Sequence, residues 1–249
     1  MATYKKRSTK SSPSSSQSTT KEVFETLDVT ASKTERWVSK NQNYILIAVG
    51  VIAIGVLGYL GNQRFILEPK EREVVGEMGQ AQEYFNMATN SVMNSDSLYR
   101  LSLEGGEGKY GFLEIIDRYR GTKSARLAQY SAGIAYLRLG EYENAIRHLE
   151  RFKSKDIIFS ALAKGAIADS FAGLGQPQDA YEYYLEAIDM SDNDFTAPKF
   201  LYKAAILALE LERHEDALEF FNTIKNDYPQ ATEAEHIEIQ IAKLETLLR

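Results

Sequence analysis

Residues 44–60 read YILIAVGVIAIGVLGYL, apolar all the way round a helix, without the polar stripe that a packed surface helix carries. At ~1.5 Å per residue the run spans roughly 26 Å, close to the ~30 Å hydrocarbon core of a bilayer. Gly61, Asn62 and Gln63 extend it to the headgroup region before Arg64, so the pattern predicts a transmembrane helix over 44–63. More than forty residues precede the run, and GYLGNQ is a poor cleavage site. A retained signal anchor is therefore expected in place of a removed leader. Gly55, Gly58 and Gly61 recur every three residues and are candidates for contact with a second transmembrane helix.

From about residue 81 the pattern changes to short amphipathic helices that repeat. In LAQYSAGIAYLRLGEYENAIRHLERF, Ala128, Ala132, Ala135 and Leu139 recur at helical spacing, Gly140 stops the helix, and Ala145, Leu149 and Phe152 mark a second one. The pattern returns with Gly175 and Ala180, 35 residues on, and again with Ala217, 37 residues after Ala180. A period near 34 built from two antiparallel helices is the spacing of tetratricopeptide repeats. Gly133, Ala168 and Ala205 take the close-packing position of the first helix. Ala145, Ala180 and Ala217 open the second, with Leu149, Tyr184 and Phe221 four residues later. Small side chains let the paired helices approach, and each pair leaves an apolar face that the next one covers, so the units stack into a solenoid. The expected units are 126–159, 161–194 and 198–231, with a degenerate unit over 81–122 and a capping helix over 232–248. The motif's usual tryptophan is absent, Gln129 standing in its place in the first unit. Within the degenerate unit, SVMNSDSLYRLSLEGGEGKYG reads as an irregular turn.

The remaining segments complete an all-α chain. STKSSPSSSQSTT is low-complexity and polar, so residues 1–32 are expected to be a disordered tail. Residues 33–43 read as a juxtamembrane segment, and the proline-opened, charge-rich stretch 64–80 as a stalk. Trp37 and Tyr44 on one side of the anchor, with Tyr59 and Phe65 on the other, suit the membrane interfaces.

Charge adds topology to this picture. Residues 1–43 hold eight Lys/Arg against four acids, whereas residues 44–249 hold 21 basic and 31 acidic residues. Lys33, Arg36 and Lys40 lie just before the apolar run, so the positive-inside preference keeps the tail cytoplasmic and puts the repeat domain outside. The reverse topology would make the repeats a cytoplasmic adaptor. An acidic domain is a poor nucleic-acid partner. With no cysteine there is neither a disulfide framework nor a thiolate metal site.

No catalytic set emerges, and no cofactor or metal is expected. His148, His214 and His236 fall at polar helical positions expected at the surface. GGEGKY lacks a phosphate loop's first glycine and its Ser/Thr, and DMSDNDFTA lacks the central glycine and distal glutamate of a calcium loop. The expected chemistry is non-covalent binding. A stacked array lines its groove with the first helices, here Tyr130, Ile134 and Leu137, then Leu162, Gly165 and Asp169, then Lys199, Tyr202 and Ile206. Such a surface could take an extended segment or a partner helix. Ile134, Leu137 and Ile206 read equally well as core between repeats.

A basic tail, one uncleaved anchor near residue 50, and an acidic domain with signatures such as YLRLGEYENAIRHLE resemble the bacterial YfgM-like proteins, ancillary subunits of the SecYEG translocon. The resemblance covers residues from about 33 to the end. It implies an inner-membrane protein beside the secretion channel that assists exported polypeptides on the periplasmic side, together with periplasmic chaperones or prolyl isomerases. The rival expectation is a scaffold for another envelope complex, in secretion or division.

Overall fold

The computed structural model describes residues 16–91 and 93–249, with side chains described from Trp37 onward. The chain divides after Asn62 into two units.

The first unit is the helix α1, Ser16–Asn62. Its 47 residues measure ~70 Å at the standard rise. It starts well inside the segment expected to be disordered to residue 32. Neither glycine nor proline occurs between Pro13 and Gly50, so nothing local breaks a helix once one is nucleated. Residues 1–15 of the expected tail lie outside the described residues. Every residue from Val51 to Leu60 is exposed, and the most apolar window has no buried residue. This helix is long and apolar enough to cross a membrane.

The second unit opens with a π-helical turn, Gln63–Leu67, and α2, Glu68–Asn90, which has Pro69 in its first turn. The stretch expected as a stalk is instead the start of the domain's first structural helix. Val74, Met78, Ala81, Phe85 and Ala88 recur at spacings of three and four and form one apolar stripe. Val74, Ala81 and Ala88 are buried against Tyr99, Phe112, Ile115 and the alanines of α5. The segment expected as an irregular turn contains α3, Ser95–Glu104, which buries Tyr99, Ser102 and Leu103. A two-residue antiparallel ladder follows, β1 Gly105–Gly106 with β2 Lys109–Tyr110, leading into α4, Phe112–Arg118.

Three helix pairs continue the chain: α5 Lys123–Arg138 with α6 Tyr142–Arg151, α7 Ile157–Gly173 with α8 Pro177–Asp189, and α9 Ala197–Glu210 with α10 His214–Asp227. A 3-10 turn, Thr232–Ala234, precedes the last helix, α11 Ile237–Leu247. Local chemistry sets the starts. Thr122 Oγ1 accepts from the Ala125 amide at 3.0 Å, Asp156 Oδ1 from the Phe159 amide at 3.2 Å, and prolines sit in the first turns of α8 and α9.

The ends of the first helices share one closure. Gly140 (φ 73°), Gly175 (φ 69°) and Glu212 (φ 59°) are all left-handed. The amide that follows each reaches back to the carbonyl of Tyr136, Phe171 or Ala208, at 2.9, 2.9 and 2.7 Å.

Packing inside and between pairs depends on absent side chains. A Cβ on Gly133 would lie 2.5 Å from Leu149 Cγ, so α5 and α6 meet backbone to leucine. Ala145, Ala180 and Ala217 are fully buried at the corresponding contact on the second helices. One apolar cluster runs from Ala161 through Phe200 and Phe221 to Ile237 and Leu244, so α11 closes the core that α9 and α10 leave open. The fold is all-α, a solenoid of tetratricopeptide-like helix pairs with one long apolar helix.

Candidate functional site

The positions expected to line a groove lie on α5, α7 and α9, the first helices of the pairs, and their exposure differs along the array. On α5, Tyr130 is half-buried, its ring 5.2 Å from Phe152 and 5.6 Å from Phe159. Ile134 and Leu137 pack onto the cluster of Ala145, Leu149, Ala163, Ala166 and Ile167, so they serve the core as well as the surface. On α7, Leu162 is half-buried against the C-terminal cluster.

Gly165 departs from its expected role as a groove residue. It is buried, and a Cβ there would lie 2.1 Å from Phe200 Cε1. Its missing side chain is the space that the Phe200 ring of the next repeat occupies, so Gly165 presents no surface to a partner. Gly173, the last residue of α7, stays exposed, although a Cβ there would lie 2.3 Å from the Tyr142 ring of α6.

The open part of the face lies on α9, where Lys199, Tyr202 and Ile206 are exposed. The Tyr202 ring meets Phe221 edge-on at 6.0 Å, which holds it while leaving its outer surface free. Beside it lies a polar node. Asp169 on α7 accepts from the Tyr184 hydroxyl and pairs with Lys203 on α9. The Lys203 ammonium also stands 5.7 Å from the Tyr184 ring centre. Burial and the Asp169 carboxylate hold the Tyr184 hydroxyl well above the ordinary tyrosine range, so it remains a donor. Lys203 and Tyr184 were not among the expected groove residues. The sequence signal for the ion pair is the spacing from Asp169 to Lys203, one repeat length, which brings an acid and a base onto adjacent first helices.

Tyrosines of the second helices tie neighbouring repeats together. Tyr183 donates back to Glu150 at 3.3 Å, and Tyr181 donates forward to Asp216 at 2.9 Å beneath the Arg213 guanidinium. These links join α6 to α8 and α8 to α10.

His148 also departs from its expected surface placement. It is half-buried, its Nδ1 accepts from Gln129 Nε2 at 3.1 Å, and its ring stacks at 5.3 Å on Tyr136. Burial, and then the Arg151 and Arg147 charges, bring its pKa down to about 4, so it is neutral at pH 7. Gln129, in place of the motif's tryptophan, is thus a buried hydrogen-bonding partner.

Along α1, no atom lies within 4 Å of where a Cβ would stand on Gly55, Gly58 or Gly61. That strip of helix is open to close approach. Among the described residues, no group of three or more His, Cys, Asp or Glu side chains is placed to hold a metal ion.

Comparison with known protein families matches two models of the tetratricopeptide repeat, over residues 127–156 and 166–232. The matched stretches include α6, α8, α9 and α10, most of α5 and the C-terminal half of α7. No curated protein matches the chain. The chain therefore carries tetratricopeptide repeats, which are protein–protein interaction modules.

Proposed function

We propose that the protein is a membrane-anchored, non-enzymatic polypeptide-binding subunit of the bacterial inner membrane. In this reading the N-terminus is cytoplasmic and the repeat domain periplasmic, beside the SecYEG channel, where it receives emerging chains together with periplasmic chaperones or prolyl isomerases. The observation that carries it is the exposed Lys199–Tyr202–Ile206 face of α9 next to the Asp169–Lys203 pair. This face offers apolar contact flanked by both signs of charge, which suits passing segments of varied sequence. The uninterrupted apolar surface of α1 supplies the tether, and the basic residues before it supply the orientation. Binding residues for an emerging chain need only non-covalent contacts.

The deciding experiment is photo-crosslinking in cells from a probe at Tyr202, combined with detergent co-purification. The expected outcome is recovery of channel subunits with the full chain and adducts between the probe and exported polypeptides during secretion. Absence of channel subunits under gentle solubilisation, with adducts to another envelope complex, would replace this reading by that of a scaffold. Protease treatment of spheroplasts tests the orientation, and a fully protected repeat domain would overturn the periplasmic placement.

A further inference from the structure

A second surface lies away from α9, where α6 turns into α7. Ile157, Ile158 and Phe159 open α7 and stay 64, 43 and 40% exposed, an apolar trio of which Phe159 meets a neighbouring ring, that of Tyr130 on α5. The turn that presents them is built rather than loose. Ser154 Oγ accepts from the Asp156 amide at 3.0 Å, Asp156 caps α7, and Ser160 Oγ donates to the Asp156 carbonyl at 2.9 Å. Beyond Ser160, the residue after the trio, is a cavity of about 310 Å³, lined by the apolar Leu149, Ala163 and Ile167 and by Lys153, Lys164, Tyr183 and Glu150, whose carboxylate is engaged by the Tyr183 hydroxyl. Lys164 is engaged, by Glu186 at 2.5 Å and by the Tyr183 ring at 4.8 Å. Lys153 and Lys155 are exposed and form no ion pair among the described residues.

The charge around this turn opposes that of the domain. Residues 147–164 hold five basic side chains (Arg147, Arg151, Lys153, Lys155, Lys164) against two acidic ones, whereas residues 179–249 hold six basic and sixteen acidic. An anionic partner is repelled from the C-terminal third and drawn to this edge. Met190, in the turn between α8 and α9, also lines the cavity, so the two inter-repeat turns meet there. That second turn carries Asp192 and Asp194, so the basic strip is confined to the Lys153–Lys155 side, which a short extended segment can follow but a bilayer plane laid across both turns cannot. A concave hollow of this size also fits one side chain better than a plane.

We propose that this edge is a second docking surface, distinct from the α9 face, for an acidic polypeptide segment of a partner protein that sinks one bulky aliphatic or aromatic side chain into the cavity. Lys153 and Lys155 meet its carboxylates, and Ile157 and Ile158 cover the flanks of the inserted side chain. Partner choice on this edge then depends on charge pattern as well as apolar content, and it weakens with salt.

The test uses the full chain in detergent and a fluorescein-labelled peptide of aspartate, glutamate and serine carrying one leucine. Two matched peptides replace the leucine by serine, or the acids by lysine. The acidic leucine peptide is expected to bind tightest and to weaken as salt rises. Lys153→Glu/Lys155→Glu and Ile157→Ser/Ile158→Ser should each raise its Kd by about tenfold or more, with helical circular dichroism unchanged, as all four side chains are exposed. Ile206→Ser should leave this affinity unchanged while reducing the crosslinking from the Tyr202 probe on the α9 face, which keeps the two surfaces separable. Equal binding of the lysine peptide, or indifference to both double variants, would overturn the proposal.

Discussion

Glu71 caps a helix that begins half a hundred residues later. Its Oε1 accepts from the Ser124 amide at 3.0 Å and the Ser124 hydroxyl at 2.6 Å, and its Oε2 from the Lys123 amide at 2.5 Å. A carboxylate satisfies two of the free amides at the start of α5, where the helix dipole also favours negative charge. Tyr119 makes a parallel contact nearby, its hydroxyl donating to Glu73 at 3.0 Å. Together these contacts dock α2 onto the first recognisable repeat. Glu71→Ala should lower stability by about 1–2 kcal/mol. Urea unfolding of the detergent-solubilised chain, followed by circular dichroism, measures it, and an unchanged midpoint would show that α2 is held by its apolar stripe alone.

Gly165 and Phe200 make a second pair whose contact can be tested. Alanine is the better helix former by ~1 kcal/mol, yet at Gly165 its methyl would overlap the Phe200 ring. Gly165→Ala should therefore destabilise by about 1–3 kcal/mol. Adding Phe200→Leu, which withdraws part of the ring, should recover some of that loss and give a non-additive double-mutant cycle. Gly76, in α2 with nothing within 4 Å of its Cβ position, is the internal control, since Gly76→Ala should stabilise by ~0.5–1 kcal/mol.

The three left-handed helix ends predict opposite responses to exchange. At Gly175, φ is 69°, and Gly175→Ala should cost about 1–2 kcal/mol because its Cβ would crowd the carbonyl. The third repeat holds Glu212 at the same point with φ 59°. Glu212→Gly should stabilise by ~0.5–1 kcal/mol, the relief of strain exceeding the added unfolded-state entropy. Hydrogen exchange at the Glu212 and Arg213 amides, slower in the variant, would report it locally.

His148 makes stability depend on pH in a stated direction. Its folded pKa, about 4, lies below the unfolded value of 6.5. The unfolded chain therefore binds the proton first, and this residue's contribution is intact above pH 6.5 and lost as pH falls towards 4. The loss should be of order 1 kcal/mol, less than the full shift implies, because the ring is only half-buried. Comparing His148→Gln with the parent between these values should show a flatter profile for the variant. Parallel profiles would mean that the imidazole stays accessible to protons.

Much of this architecture was legible along the chain. The apolar run in α1 shows because a surface able to cross a membrane must be continuous. The pairs α5–α6, α7–α8 and α9–α10 show because Ala145, Ala180 and Ala217 recur wherever two backbones must approach. The roles of α2 and α3 were harder to see. Charges such as Glu71 and Glu73 suggested a solvated stalk, although they bond to Ser124 and Tyr119 and the stripe from Val74 to Ala88 is apolar. A charge count cannot distinguish a carboxylate in water from one capping a distant helix.

What the sequence alone determined is periodic: helix class, the spacing of the repeats, the single long apolar span, and the identity of the small residues at close contacts. These follow from interactions within a few residues or from one repeated unit. Tertiary structure decided which periodic positions are available to a partner. Gly165 falls in the groove register yet is filled by Phe200, whereas Ile157, Ile158 and Phe159 fall outside it and remain exposed. The physical reason is that exposure depends on the size of the side chain arriving from the next repeat, and repeat spacing does not encode that size.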